Sequence, residues 1–63
     1  MTNNQTYRVQ IAAHHGHEAM KFSVEARDLD DAIQFGCDIW FDRTADSDVY
    51  ADALPIVAEL VEH

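Results

Sequence analysis

The 63-residue chain has one cysteine, one proline, two glycines and only four basic residues. The lone Cys37 excludes an internal disulfide, a cysteine-rich metal site and a CxxC redox motif, so we expect a reducing, cytoplasmic environment. No apolar run approaches the roughly 18 residues that span a bilayer, and the polar N-terminus lacks a signal-peptide pattern. We therefore expect neither secretion nor membrane insertion.

The shortage of basic residues leaves 12 Asp and Glu against 4 Lys and Arg, a net charge of −8. Such a charge repels nucleic acid and anionic lipid, so the expected partner is a basic protein surface rather than DNA, RNA or a membrane. A chain this short buries only about 60% of its unfolded surface and has no room for an enclosed cleft. We expect no enzyme activity and no cofactor. The hydrophobic content of 48% nevertheless predicts that the chain folds.

Two segments, 7–13 and 19–26, alternate apolar and polar residues, as half-buried strands do. The polar stretch 14–18 between them contains Gly16, which supplies the positive φ of a tight turn, so the two segments predict a β-hairpin. The predicted register pairs Ile11 with Met20, Val9 with Phe22 and Tyr7 with Val24.

An amphipathic helix is predicted to follow the hairpin. Asp28 has the position of an N-cap, and Asp30 and Asp31 place carboxylates in the first turn. The helix is expected to end near Asp42 or Arg43. Its apolar face recurs at helical spacing: Leu29, Ala32, Ile33, Gly36, Cys37 and Trp40. Cys37 is therefore interpreted as a core thiol.

The opposite helix face is acidic, with aromatic residues at its edges. With a helical rotation of 100° per residue, this face contains Gln34, Asp31, Asp38 and Asp42, and Asp30 lies at its margin. Aromatic residues beside charged ones are typical of interface hot spots. The predicted partner-binding residues are Asp30, Asp31, Asp38, Asp42, Asp46, Asp48, Phe35, Phe41 and Tyr50.

The remaining segments complete the predicted fold. Residues 44–52 are expected to be a linker, with a short helical turn starting at Ser47. Residues 54–62 fit either a strand or a short helix, and their β-branched content favours the strand. The prediction is one α+β domain over residues 1–63, a ββαβ arrangement in which the helix covers one face of an antiparallel sheet. Residues 1–5 are expected to be disordered.

Three histidines lie within the turn, at His14, His15 and His17. Imidazole binds Zn²⁺, Ni²⁺ and Cu²⁺, and Glu18 offers an oxygen. Because three neighbouring histidines rarely form a tetrahedral site alone, we interpret them as a surface turn and predict no metal. A metal site and a pH-dependent contact remain alternatives.

The charge is concentrated in one part of the chain. Residues 28–52 contain eight acidic residues and one basic residue, a net charge of −7. One interpretation is a solvated face that keeps a small protein in solution. The other is a row of carboxylates that binds a protein surface built to hold phosphates and competes with nucleic acid for it.

The chain resembles the small acidic inhibitor proteins encoded by bacteriophages, the anti-CRISPR proteins in particular. The resemblance lies in the short length, the hairpin pattern Tyr7-x-Val9-x-Ile11 with Phe22-x-Val24-x-Ala26, the helix start Arg27–Ile33 and the acidic surplus, and covers about half of the chain. It implies a DNA mimic in the host bacterial cytoplasm. Such a protein binds the basic DNA-binding surface of a CRISPR effector and blocks target DNA.

A different class of function stays open beside this one. The chain also fits a general protein-interaction module, such as an antitoxin or a regulatory subunit, that binds a partner through the sheet edge and through Phe35, Phe41 and Tyr50. Exposed sheet edges would also allow a homodimer.

Overall fold

The β-hairpin is the first element in the computed structural model, which describes residues 4–62. The elements are β1 (Gln5–Ile11), β2 (Met20–Ala26), α1 (Leu29–Thr44), a 3-10 helix (Ala51–Ala53) and β3 (Ile56–Leu60). The predicted ββαβ fold, with a strand near the C-terminus, is confirmed. The prediction of disorder covers residues 1–5. Residues 1–3 lie outside the described residues, whereas Asn4 and Gln5 are described. Gln5 instead begins β1.

The sheet has the strand order β2-β1-β3, and both pairings are antiparallel. The predicted hairpin register is confirmed, with Ile11 opposite Met20 and Tyr7 opposite Val24. The other side of β1 pairs with β3, where Val9 lies opposite Ala58. Because β1 is central, its apolar face is the most deeply buried part of the sheet, and β2 and β3 form the two edges.

A two-residue turn closes the hairpin beyond the regular ladder. His14 and His17 exchange two backbone hydrogen bonds, of 3.0 and 2.9 Å. Between them, His15 and Gly16 have φ values of 51° and 81°. Positive φ at both central residues is characteristic of a type I′ turn, whose twist matches that of antiparallel strands.

Both ends of α1 are capped by groups close in sequence. Asp28 is the N-cap, and its carboxylate accepts the backbone N–H of Asp31 at 2.8 Å. The Asp31 carboxylate in turn accepts the backbone N–H of Arg27 at 3.2 Å. At the C-terminal end, Ala45 adopts a left-handed conformation and donates its N–H to the Phe41 carbonyl. The helix thus ends at Thr44, just beyond its predicted end.

The core forms where α1 crosses the sheet. Trp40, Val9 and Ile11 are its largest fully buried side chains. Gly36 allows α1 to lie close to the sheet, because a Cβ at this position would lie 2.8 Å from Val9 Cγ1 and 2.7 Å from the Ile56 side chain. The predicted burial of Leu29 is wrong. Leu29 is 46% exposed, and Ala32 is the first buried residue of α1.

The linker from α1 to β3 differs in detail from the prediction. Its helical turn does not start at Ser47 but is the 3-10 helix Ala51–Ala53. Leu54 follows that helix and is buried in the core, so the linker is anchored at its far end. Among the described residues 4–62, no helix has the length and apolarity needed to cross a membrane.

Candidate functional site

An acidic groove lies between α1 and the 3-10 helix. The carboxylates of Asp30, Asp38 and Asp52 line it together with apolar side chains. The complete lining of this acidic groove is Asp30, Ile33, Gln34, Cys37, Asp38, Phe41, Ala51 and Asp52. Asp30 and Asp38 are contributed by α1, where their helical spacing brings both to the groove. The chain turns back after α1, and this brings Asp52 to the same groove.

The predicted partner-binding carboxylates divide into exposed and engaged groups. The exposed group consists of Asp30, Asp38, Asp42 and Asp48. The side chain of Asp31 is only 22% exposed, lies 3.7 Å from the Arg27 guanidinium and belongs to the helix cap. Their role in binding a partner stays a prediction, but Asp31 is less available for it than its helix position indicates.

The three predicted aromatic residues also differ in exposure. Tyr50 is 78% exposed, and Phe35 is exposed on α1. Phe41 is half-buried, because its ring packs edge-on against Trp40 with centroids 5.1 Å apart. Phe41 also lines the acidic groove, so its side chain contributes both to the core and to this surface.

Cys37 lies in the core, as predicted. Burial, followed by the charge of Asp38, raises the pKa of its thiol above the ordinary value of 9.0. A thiol that stays protonated is a poor nucleophile. Cys37 therefore acts as a small apolar side chain.

Asp46 does not lie on the exposed acidic surface, which corrects the sequence-based expectation. Its side chain is only 10% exposed. One carboxylate oxygen, Oδ1, accepts the backbone N–H of Asp48 at 2.9 Å in an Asx turn. The backbone N–H of Asp46 donates to Thr44 Oγ1, which itself donates to the Trp40 carbonyl. The helix end thereby fixes the direction of the carboxylate.

The other carboxylate oxygen of Asp46 meets the histidine turn. Asp46 Oδ2 lies 2.6 Å from His15 Nδ1 and 3.0 Å from His17 Nε2. An ionised carboxylate only accepts hydrogen bonds, so both ring nitrogens are the donors. We call these three residues the His–Asp cluster. One ligand atom from each residue lies within 4.8 Å of the other two, a spacing that suits a metal ion.

Trp40 links the His–Asp cluster to the core. The His17 ring stands edge-on to the Trp40 indole, with centroids 5.3 Å apart, and the His14 ring lies 6.4 Å from it. The sequence analysis singled out the histidines but did not connect them with Asp46, which lies 29 residues beyond His17. No local sequence pattern signals this contact, because it depends on the path of the chain after α1.

These contacts set a pH dependence that Asp46→Asn should remove. The N–H of Asp48, followed by His15 and His17, lowers the pKa of Asp46 from 3.8 to about 2. A lowered pKa in the folded state contributes stability that is present above pH 3.8 and is lost as the pH falls through 2. In metal-free buffer, the unfolding free energy of the native chain should therefore fall more steeply between about pH 4 and pH 2 than that of Asp46→Asn.

The matched control is Asp42→Asn, which removes the same charge from an exposed position on α1. Urea unfolding at each pH measures the slope, and the control should keep the steep slope of the native chain. Equal slopes for Asp46→Asn and the native chain would contradict the hydrogen bonding described for Asp46.

Comparison with protein-family models, with curated protein sequences and with solved structures found no match to this chain.

Proposed function

We propose that the protein is a non-enzymatic inhibitor of the anti-CRISPR type. In this proposal, the acidic groove and its neighbouring carboxylates bind the basic DNA-binding surface of a CRISPR effector. The bound protein blocks target DNA as a DNA mimic, in the bacterial cytoplasm where such effectors work. The proposal depends mainly on one observation: a single groove exposes carboxylates from two separate elements, α1 and the 3-10 helix.

The distribution of charge supports a basic partner. Residues 28–52 carry seven of the eight net negative charges. Helix α1 and the linker place Asp30, Asp38 and Asp52 along the acidic groove, and Asp42 is exposed one helical turn beyond Asp38. A field of one sign attracts an oppositely charged surface from a distance and speeds its association.

The mixed lining of the groove suits lysine and arginine side chains. These residues combine an apolar stem with a charged head. The groove offers Ile33 and Phe41 to the stem, and Asp38 and Asp52 to the head. A surface that holds nucleic-acid phosphates presents such side chains in number, so the groove would compete with DNA for them.

Exposed apolar residues favour one second candidate, a general interaction module such as an antitoxin or a regulatory subunit. Tyr50 and Phe35 are exposed, and so are Val57 and Leu60 on the edge strand β3. An edge strand also offers unpaired backbone groups to a second copy of the chain, which would form a homodimer. In this candidate, apolar contact or strand pairing replaces charge as the basis of binding.

Salt dependence of the affinity separates the two candidates. The binding of the protein to a panel of purified CRISPR effector complexes is measured from about 0.05 M to about 0.5 M salt. Binding through carboxylates should weaken by about tenfold or more over this range, because salt screens exposed charges. Affinity that stays nearly constant would favour the interaction module, and the absence of binding to every effector would reject the inhibitor proposal.

A further inference from the structure

The His–Asp cluster is independent of the acidic groove and of the function proposed for it. We propose that His15, His17 and Asp46 form a binding site for one divalent transition metal ion of the Zn²⁺ class. The ligand atoms are His15 Nδ1, His17 Nε2 and Asp46 Oδ2.

The distances are close to those of a metal site. Zn²⁺ binds imidazole nitrogen and carboxylate oxygen at about 2.0–2.2 Å, which places tetrahedral ligand atoms about 3.3 Å apart. In the structure, Oδ2 lies 2.6 Å from His15 Nδ1 and 3.0 Å from His17 Nε2. The ion is admitted when these two contacts open by less than about 1 Å and the two ring nitrogens, which lie within 4.8 Å of each other, take a similar spacing.

The donor set selects the class of metal. Two imidazoles and one carboxylate suit Zn²⁺ and its transition-metal neighbours, whereas Mg²⁺ and Ca²⁺ prefer sites built from oxygen alone. In the metal-bound form the proton leaves His15 Nδ1 for Nε2, and the freed lone pair on Nδ1 binds the ion. In His17 the ring proton moves from Nε2 to Nδ1, and the freed lone pair on Nε2 binds the ion. Because His15 is half-exposed, a fourth position remains open to water.

The ligands are held in place before any ion arrives. The type I′ turn fixes the backbone at His15 and Gly16, and the His17 ring packs on Trp40. Asp46 is fixed by the hydrogen bond from the Asp48 N–H and by the helix end. Preorganised ligands lose little conformational freedom when they bind. The ion would join the hairpin turn to the linker and stabilise the folded chain.

The test uses the full chain without a histidine tag, first stripped of metal with a chelator. Calorimetric titration with Zn²⁺ should show one ion per chain, and Zn²⁺ should raise the melting temperature. Asp46→Asn should weaken Zn²⁺ affinity by at least about tenfold, since even residues that only support a ligand change affinity by about 10–100-fold. Asp46 is the decisive position, because without it the site offers the ion only the two imidazole ligands of His15 and His17.

The control variant is His14→Gln, which removes a histidine from the same turn but not from the His–Asp cluster. It should change the affinity by less than about threefold. Ring ¹⁵N shifts of the native chain provide a measurement that needs no variant. Zn²⁺ should shift His15 Nδ1 and His17 Nε2 but not the His14 ring. Absence of saturable binding, or equal losses in Asp46→Asn and His14→Gln, would overturn the proposal.

Discussion

Replacing Trp40 by alanine is expected to lower the unfolding free energy by about 3–5 kcal/mol. Trp40 is 0% exposed and is the largest fully buried side chain. It contacts Phe41 on α1 and His17 in the hairpin turn, so its loss opens a cavity between two parts of the fold. At about 0.05–0.15 kcal/mol per residue, a domain of this size has only some 3–9 kcal/mol in total. Trp40→Ala should therefore lose at least about a third of the total stability and melt well below the native chain.

Thermal and urea unfolding followed by circular dichroism measure this effect. Tyr50→Ala is the matched control, because it removes another large aromatic ring from a position that is 78% exposed. The control should change stability by about 0.5 kcal/mol or less. A Trp40→Ala variant as stable as the control would contradict the placement of Trp40 in the core.

Neutralising the acidic groove is expected to weaken binding to a CRISPR effector by about 10- to 100-fold. The variant combines Asp30→Asn, Asp38→Asn and Asp52→Asn. An exposed charge contact contributes up to about 1 kcal/mol, so three together correspond to as much as about two powers of ten in affinity. The fold should be retained, because Asp30 and Asp52 are exposed and Asp38 lies on the outer side of α1.

A second triple variant separates the position of the charge from its amount. Glu18→Gln, Glu25→Gln and Glu62→Gln remove the same net charge from exposed positions that do not line the acidic groove. This control should bind within about threefold of the native chain. Equal weakening of both variants would mean that net charge alone drives the association. Full binding by the groove variant would reject the acidic groove as the contact surface.

Local patterns were enough to predict the β-hairpin and the helix. Alternation at Tyr7, Val9 and Ile11 identified the central strand, and its predicted register with β2 is confirmed. Asp28 marked the helix start, because a carboxylate there satisfies a free backbone N–H. These features depend on neighbours close in sequence, or on pairing across one short turn.

The candidate sites needed information that local patterns do not hold. Helical spacing predicted the carboxylates of α1, but not that Asp52 would line the same groove, since this depends on the path of the linker. The contact of Asp46 with His15 spans 31 positions, and it depends on how α1 lies on the sheet. Asp46 was wrongly grouped with exposed carboxylates because nothing near it in sequence indicated burial.

Competition with target DNA tests the proposed function most directly. A CRISPR effector that binds the protein is mixed with its target DNA in a gel-shift assay, with the native chain, the acidic-groove variant or the matched glutamate variant. The native chain and the glutamate variant should prevent the DNA shift, and the groove variant should fail to do so at the same concentration. A DNA shift that persists at saturating native protein would contradict the proposal that the acidic groove takes the place of DNA.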